Sequence, residues 1–321
     1  MNTTEPVKVH LFFTQHAATD AFQRALGTAT NRMIDCSALL SAGPALPNSA
    51  TPDLLVRCSP DTDAQRIVSE FESARRHSEM RADLASVITT LDADSTARTL
   101  LGRPHLGAPE SPVTLAAHIE HASTLVLTGW GSMEPTDLHP LVALLGHLNP
   151  TATLVLLGPQ APLGPLGHPT DIAAVTLNRP GWIHLLGDAF SPRVAHDRVQ
   201  AFRYQNFRPF HPDRLAAILG GGFDCDSGGR VIRSAGFCRL ASRPHTTILW
   251  DHCGTEIGLG RLRTEDHSPE PLTFGQDIAF FGIDLDIPRT ITMLDECTLD
   301  DDEFLLGPDN WTQIPDPLPR W

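Results

Sequence analysis

From Val7 onward, short apolar runs rich in β-branched residues alternate with stretches of helical spacing, and that alternation restricts the first half of the chain to an α/β fold. VKVHLFF (Val7–Phe13) reads as a strand, followed by polar residues and then by AFQRAL, which reads as a helix. Further strands are expected at Leu54–Arg57, Ala85–Leu91, Ser123–Thr128 and Ala152–Leu157, with helices at Thr62–Met80 and Pro135–Leu148. Strands separated by helices imply a mostly parallel sheet covered on both faces. GPQAPLGPLGHP (Gly158–Pro169) is dense enough in Gly and Pro to end regular structure, and a long surface loop is expected there.

The pattern changes near residue 193, which divides the chain into domains at 1–192 and 193–321. A helical-looking stretch between Arg193 and Arg208 leads into NFRPFHPDRLAAIL. Strands then follow in hairpin-like succession at Val231–Ser242, Thr246–Trp250 and Gln276–Ile283, with helices at Pro212–Leu219 and Pro288–Cys297. Such an order fits a smaller α+β domain on an antiparallel sheet. The tail from Asp295 (DECTLDDDEFLLGPDNW) is strongly acidic and reads as a solvated helix end and loop.

Composition narrows the functions. With 321 residues and 41% hydrophobic content the chain can bury two cores. A formal charge of −14 repels phosphate backbones, so direct nucleic-acid binding is not expected. No apolar run approaches the ~20 residues of a membrane span, and MNTTEPVKV lacks the pattern of a signal peptide. The expectation is a cytoplasmic protein without membrane contact. Six cysteines (Cys36, Cys58, Cys225, Cys238, Cys253, Cys297) lack CxxC spacing and read as reduced, buried thiols. Of the 24 basic residues only Lys8 is a lysine.

Three ordered blocks carry a resemblance. FRYQNFRPFHPDRLAAIL (Phe202–Leu219), VIRSAGFCRLASRP (Val231–Pro244) and DIAFFGIDLDIPRTITMLDECTLDDDE (Asp277–Glu303) resemble the main blocks of the CobW C-terminal domain. The family motif is RPFHP, here Arg208, Pro209, Phe210, His211 and Pro212. The resemblance implies a Rossmann-like P-loop NTPase-type first domain followed by a CobW C-terminal domain.

Laid on that first domain, the family's nucleotide motifs are missing. Its G-x-x-x-x-G-K-[ST] loop falls on Gln15-His16-Ala17-Ala18-Thr19-Asp20-Ala21-Phe22, without either glycine, the lysine or the Mg²⁺-binding hydroxyl. Asp20 would set a carboxylate against phosphates, a like-charge contact costing a few kcal/mol at ~4 Å. The base-reading Asn-Lys-x-Asp falls on Thr128-Gly129-Trp130-Gly131, and the Walker-B-like turn on Arg57-Cys58-Ser59-Pro60, where Pro60 lacks an N–H. Lys8 lies inside the first strand, so no realignment restores both motif lysines. The family's CxCC metal motif would fall between Cys36 and Asp53, which holds Cys36 alone.

Other constellations are weak. His118 and His121 lie i,i+3 on an expected helix without a visible third ligand, and His252–Cys253 with Cys238 reads as core. His211 is expected to fix the turn into the next helix, with Pro212 at its first position and Arg208 and Arg214 pairing with carboxylates. Asp224 and Asp226 lack the rest of an EF-hand loop, and no G-x-S-x-G or HExxH occurs. The resemblance therefore implies a pseudo-GTPase without a catalytic residue or cofactor, similar to the actinobacterial CobW-like proteins that bring a ribosome hibernation factor to the small ribosomal subunit under zinc limitation. Two alternatives stay open: a GTP- and Mg²⁺-dependent zinc or cobalt metallochaperone, and a subunit paired with an active GTPase.

Overall fold

The computed structural model describes residues 7–27, 33–37, 53–77, 82–102, 111–162, 179–221, 229–262 and 275–319. Two compact units result, Met1–Gly181 and Trp182–Trp321.

In the first unit a six-stranded parallel sheet runs in the order β2-β3-β1-β4-β5-β6. The strands are β1 (Val7–Thr14), β2 (Ile34–Asp35), β3 (Asp53–Cys58), β4 (Ala82–Asp92), β5 (Thr124–Thr128) and β6 (Thr153–Leu156). The helices are α1 (Thr19–Leu26), α2 (Ala64–His77), α3 (Ala93–Leu101), α4 (Pro112–His121) and α5 (Pro135–Leu148). β1 pairs with both β3 and β4, which makes it the central strand and explains its near-continuous apolar sequence. Its alternate residues serve opposite layers. Val9, Leu11 and Phe13 pack with Ile67, Val68 and Phe71 of α2, while Phe12 packs with Phe22 of α1 and with Ile88 and Val126. The connection from β1 to β3 and that from β4 to β5 go to opposite sides of β1, so the carboxyl ends of the central strands form the switch point at which open α/β sheets bind ligands.

In the second unit five antiparallel strands run β10-β9-β8-β11-β7. They are β7 (Val199–Asn206), β8 (Arg230–Cys238), β9 (Ile248–Cys253), β10 (Glu256–Arg261) and β11 (Gln276–Ile283), with α6 (Pro212–Gly221), α7 (Ile287–Glu296) and α8 (Asp301–Leu305). The core is aromatic: Tyr204, Phe210, Trp250 and Phe280 pack with Leu215 and Leu294.

One expectation is corrected here. The helical-looking stretch before Arg208 is strand β7, paired with β11 from Val199↔Ile283 to Asn206↔Gln276. Its aromatic spacing is two: Phe202 stacks on Phe280 at 4.9 Å and Tyr204 on Phe210 at 6.3 Å, burying one face of the edge strand. The acidic tail is also more ordered than a solvated loop. Asp300 caps α8 in a reciprocal capping box with Glu303, whose side chain additionally accepts from Arg214 at 2.6 Å. Of the expected Gly158–Pro169 loop, residues 158–162 are irregular and the remainder lies outside the described residues, as do Cys225, Asp224, Asp226 and most of the Cys36–Asp53 interval.

Candidate functional site

The β1–α1 connection stands at the switch point, where the resemblance places the phosphate loop. It is a tight 3₁₀ turn over His16–Ala18, in which the Ala18 N–H donates to the Gln15 carbonyl at 2.9 Å. Gln15 is extended (φ −58°, ψ 141°) and Ala18 is right-handed (φ −92°, ψ −6°). Among the described residues none from 15 to 22 has positive φ, so the alternation of right- and left-handed residues that aims successive N–H groups at an anion does not form.

The side chain of Gln15 occupies the turn. Its Oε1 accepts from the Asp92 backbone N–H at 2.9 Å and from the Thr96 hydroxyl at 3.1 Å, while the Gln15 N–H donates to Thr90 O at 2.9 Å. β1–α1 is thereby tied to the β4–α3 turn, where the Asp92 carboxylate caps α3 through the Ser95 N–H at 2.9 Å. Gln15 and Thr96 are both buried. Phe22, at the Mg²⁺-hydroxyl position, is a core residue with its ring 5.3 Å from that of Phe12. Ala18 is buried, and exposed Asp20 lies in the first turn of α1, where a carboxylate suits the positive end of the helix dipole. Ala21 belongs to the same turn.

The base-reading position is equally self-contained. Thr128 is buried and donates to Leu91 O at 2.9 Å, and the Trp130 indole donates to Leu157 O at 3.2 Å. Gly129 has φ +69°, and a Cβ there would stand 2.7 Å from the Asp92 carboxylate. Gly131 borders open space, and the Ser132 hydroxyl donates to Gly129 O at 2.8 Å. At the Walker-B-like position Arg57 pairs with Asp35 at 3.0 Å, and the Thr62 N–H closes a turn onto Ser59 O.

The expected histidine positions are internal. His118 Nε2 donates to Thr62 O at 2.7 Å, its ring lies 4.6 Å from that of Phe13, and burial lowers its pKa. His121 is buried beside it on α4. In the second unit the Trp250 indole donates to the Ser234 hydroxyl at 2.8 Å, and that hydroxyl stands 3.1 Å from His252 Nδ1. His252 Nε2 donates to Gly254 O at 2.9 Å. Burial, and then the Arg233 charge, push the His252 pKa down to about 4. Cys253 and Cys238 occupy opposite ends of the β8–β9 ladder, facing Arg233 and Ile248 respectively. Among the described residues no three His, Cys, Asp or Glu side chains are grouped as metal ligands.

The RPFHP segment is the structural joint of the second unit. Phe210 is fully buried and bridges to both Leu240 and Thr298, and its N–H donates to Arg239 O at 2.8 Å. Pro209 O accepts from the Leu299 N–H at 3.0 Å, and the His211 N–H donates to Cys297 O at 2.7 Å. Pro212 begins α6. Arg208 pairs with Asp301, donates to Leu299 O at 3.2 Å, and stands 5.7 Å over the rings of both Phe207 and Phe304. Arg214 donates to Thr298 O at 2.8 Å and pairs with Glu303, while His211 Nε2 lies 4.0 Å from Glu303. The expected Arg–carboxylate pairing is present, and it draws the acidic tail onto the motif. Beside this joint Phe207, Leu305 and Leu306 are exposed, at 64%, 82% and 61%.

Sequence reasoning located the missing glycines and lysine but not what replaces them. Gln15 meets Thr96 across 81 positions, and no local pattern announces such a pair.

Parts of the chain are similar to known proteins. Residues 199–298 match the Cobalamin synthesis protein cobW C-terminal domain. The chain is also similar to the zinc-regulated GTPase metalloprotein activator 1 of Dictyostelium discoideum, 25% identical over 229 residues that make up 64% of this chain and 47% of that protein. It thus spans about half the length of that relative. Among solved structures it is similar to the Zn(II)-bound YjiA GTPase from E. coli, with a TM-score of 0.41 and 13% identity over 92% of this chain and all of that one. A Zn(II)-bound triple mutant of the same GTPase gives a TM-score of 0.42, also at 13% identity and the same coverage. The matched residues lie within the second unit, which follows a parallel α/β unit.

Proposed function

We propose that this protein is a CobW-like pseudo-GTPase that works by binding a protein partner. The observation that carries the reading is the Gln15 tie: the turn that would cradle phosphates is filled by its own side chain and by bonds to Asp92 and Thr96. Phe22 in the core, Asp20 at the helix start and the closed Thr128–Gly131 turn add to it. These residues fit neither a nucleotide phosphate nor its Mg²⁺. The partner we propose is a ribosome hibernation factor, recruited to the small ribosomal subunit under zinc limitation in the cytoplasm. The exposed Phe207, Leu305 and Leu306 beside the acidic α8 suit a basic partner, for which carboxylates give steering more than affinity.

A second reading is favoured by the similarity to a zinc-regulated GTPase activator: a GTP-dependent zinc or cobalt metallochaperone. Equilibrium titration with fluorescent GTP and GDP in the presence of Mg²⁺ separates the two. Absence of saturation up to millimolar nucleotide is the expected result, whereas saturable micromolar binding overturns the pseudo-GTPase. Co-purification of the tagged protein from zinc-starved cells then distinguishes a ribosome-associated partner from an active GTPase subunit.

A further inference from the structure

Ile34 and Asp35 of β2 lie beside Val56 and Arg57 of β3, and the Arg57–Asp35 ion pair at 3.0 Å clasps that register. Cys36 follows directly on the end of β2 and Cys58 is the last residue of β3, and the two thiols lie within hydrogen-bonding reach of each other. Both are free thiols. Cys58 is buried in the core with Val56 and Phe71, and Cys36 is partly exposed and packs against that cluster.

We propose that Cys36 and Cys58 form a peroxide-reactive dithiol, a modification site in which Cys36 meets the oxidant and Cys58 resolves it. A hydroperoxide enters from the exposed side, because Cys58 is shielded. Cys36 sulfur attacks the peroxide O–O bond, which breaks; Cys36 becomes a sulfenic acid and the peroxide is reduced to the alcohol, or to water if it is hydrogen peroxide. Cys58 sulfur then bonds to Cys36 sulfur, and the sulfenic oxygen leaves as water with the Cys58 proton. The two sulfurs together give up two electrons, both taken by the peroxide. Burial pushes the Cys58 thiol well above its ordinary range, which keeps it protonated and a poor nucleophile toward the peroxide itself. The remaining described cysteines lack this arrangement: Cys238 faces Ile248 and Cys253 faces Arg233, five ladder positions apart, and Cys297 is buried. They serve as internal controls. This inference is independent of the proposed partner.

The test uses the full chain carrying Cys225→Ser, so that reporting thiols are confined to the described residues. It is treated with hydrogen peroxide, alkylated under denaturing conditions, digested and analysed by mass spectrometry. The expected result is loss of alkylation at Cys36 and Cys58 together, with a linked peptide pair lighter than the two reduced peptides by two hydrogens and released by dithiothreitol. Cys36→Ser, a change at the partly exposed position, leaves Cys58 fully alkylated after the same treatment. The proposal is overturned if both thiols stay alkylatable while methionines oxidise, if Cys36 proceeds to sulfinic acid with Cys58 still reduced, or if Cys58 is oxidised in Cys36→Ser.

Discussion

Replacing Gln15 by Ala removes a side chain that ties the β1–α1 turn to the β4–α3 turn. Two donors lose their acceptor: the Asp92 N–H at 2.9 Å and the Thr96 hydroxyl at 3.1 Å. A buried donor left unsatisfied costs about 1–3 kcal/mol. The two are not equal, because a threonine hydroxyl inside a helix can rotate toward a carbonyl one turn back, whereas a backbone N–H is fixed. Most of the loss therefore falls on the Asp92 amide, and the net destabilisation should be about 2 kcal/mol. For a unit of this size that corresponds to a drop of roughly 4–8 °C in melting temperature. Urea and thermal unfolding followed by circular dichroism measure it, with Gln15→Asn, one methylene too short to reach, expected to lose nearly as much. A loss below about 0.5 kcal/mol in Gln15→Ala would show that the turn is held by other means, and the argument that Gln15 closes the site would fail.

Gly129→Ala should destabilise by more than about 1 kcal/mol, since it combines a left-handed backbone with a Cβ 2.7 Å from the Asp92 carboxylate; chemical denaturation reads it. Phe210→Ala empties the centre of the second unit and should cost about 3–5 kcal/mol, seen as loss of soluble protein or of near-ultraviolet signal from the aromatic core. His252, with a folded pKa of about 4, binds its proton less readily than the unfolded chain does, so its contribution is complete above about pH 6.5 and is lost as pH falls toward 4. Denaturant midpoints measured across pH 4–7 should slope upward with pH, and His252→Gln should flatten that slope. Arg214→Ala removes the donor to Thr298 O and Glu303, and faster amide exchange across Asp300–Leu305 is expected.

The readable parts of the fold are those whose burial leaves a mark in the sequence. β1, β4 and β5 are apolar because parallel strands under two layers are buried nearly throughout, β3 and β6 keep short apolar runs with exposed ends, and α5 opens with a proline and carries a long apolar face, so each is visible as a run. β2 is two residues long and β10 (EIGLGR) is mostly exposed, so neither offers a pattern. α3 (ADSTARTLL) is polar enough to pass for a connection until Asp92 is seen capping it. β7 reads as helical because its arginine and two glutamines suit a helix, while the deciding feature, Phe202 and Tyr204 on one face, depends on a partner strand that the local sequence does not show. At the site, the missing glycines and lysine were legible in a single line of sequence. Gln15, Thr96 and Asp92 were not, since polar residues brought together across a sheet have no spacing to betray them.

The tie between Gln15 and the β4–α3 turn also bears on history. A path toward glycine at position 15 would begin by losing the acceptor that Asp92 and Thr96 now share. Each early step on such a path would weaken the fold before any phosphate could compensate. The turn is thereby held in its present form by the stability of its neighbours as much as by its own sequence.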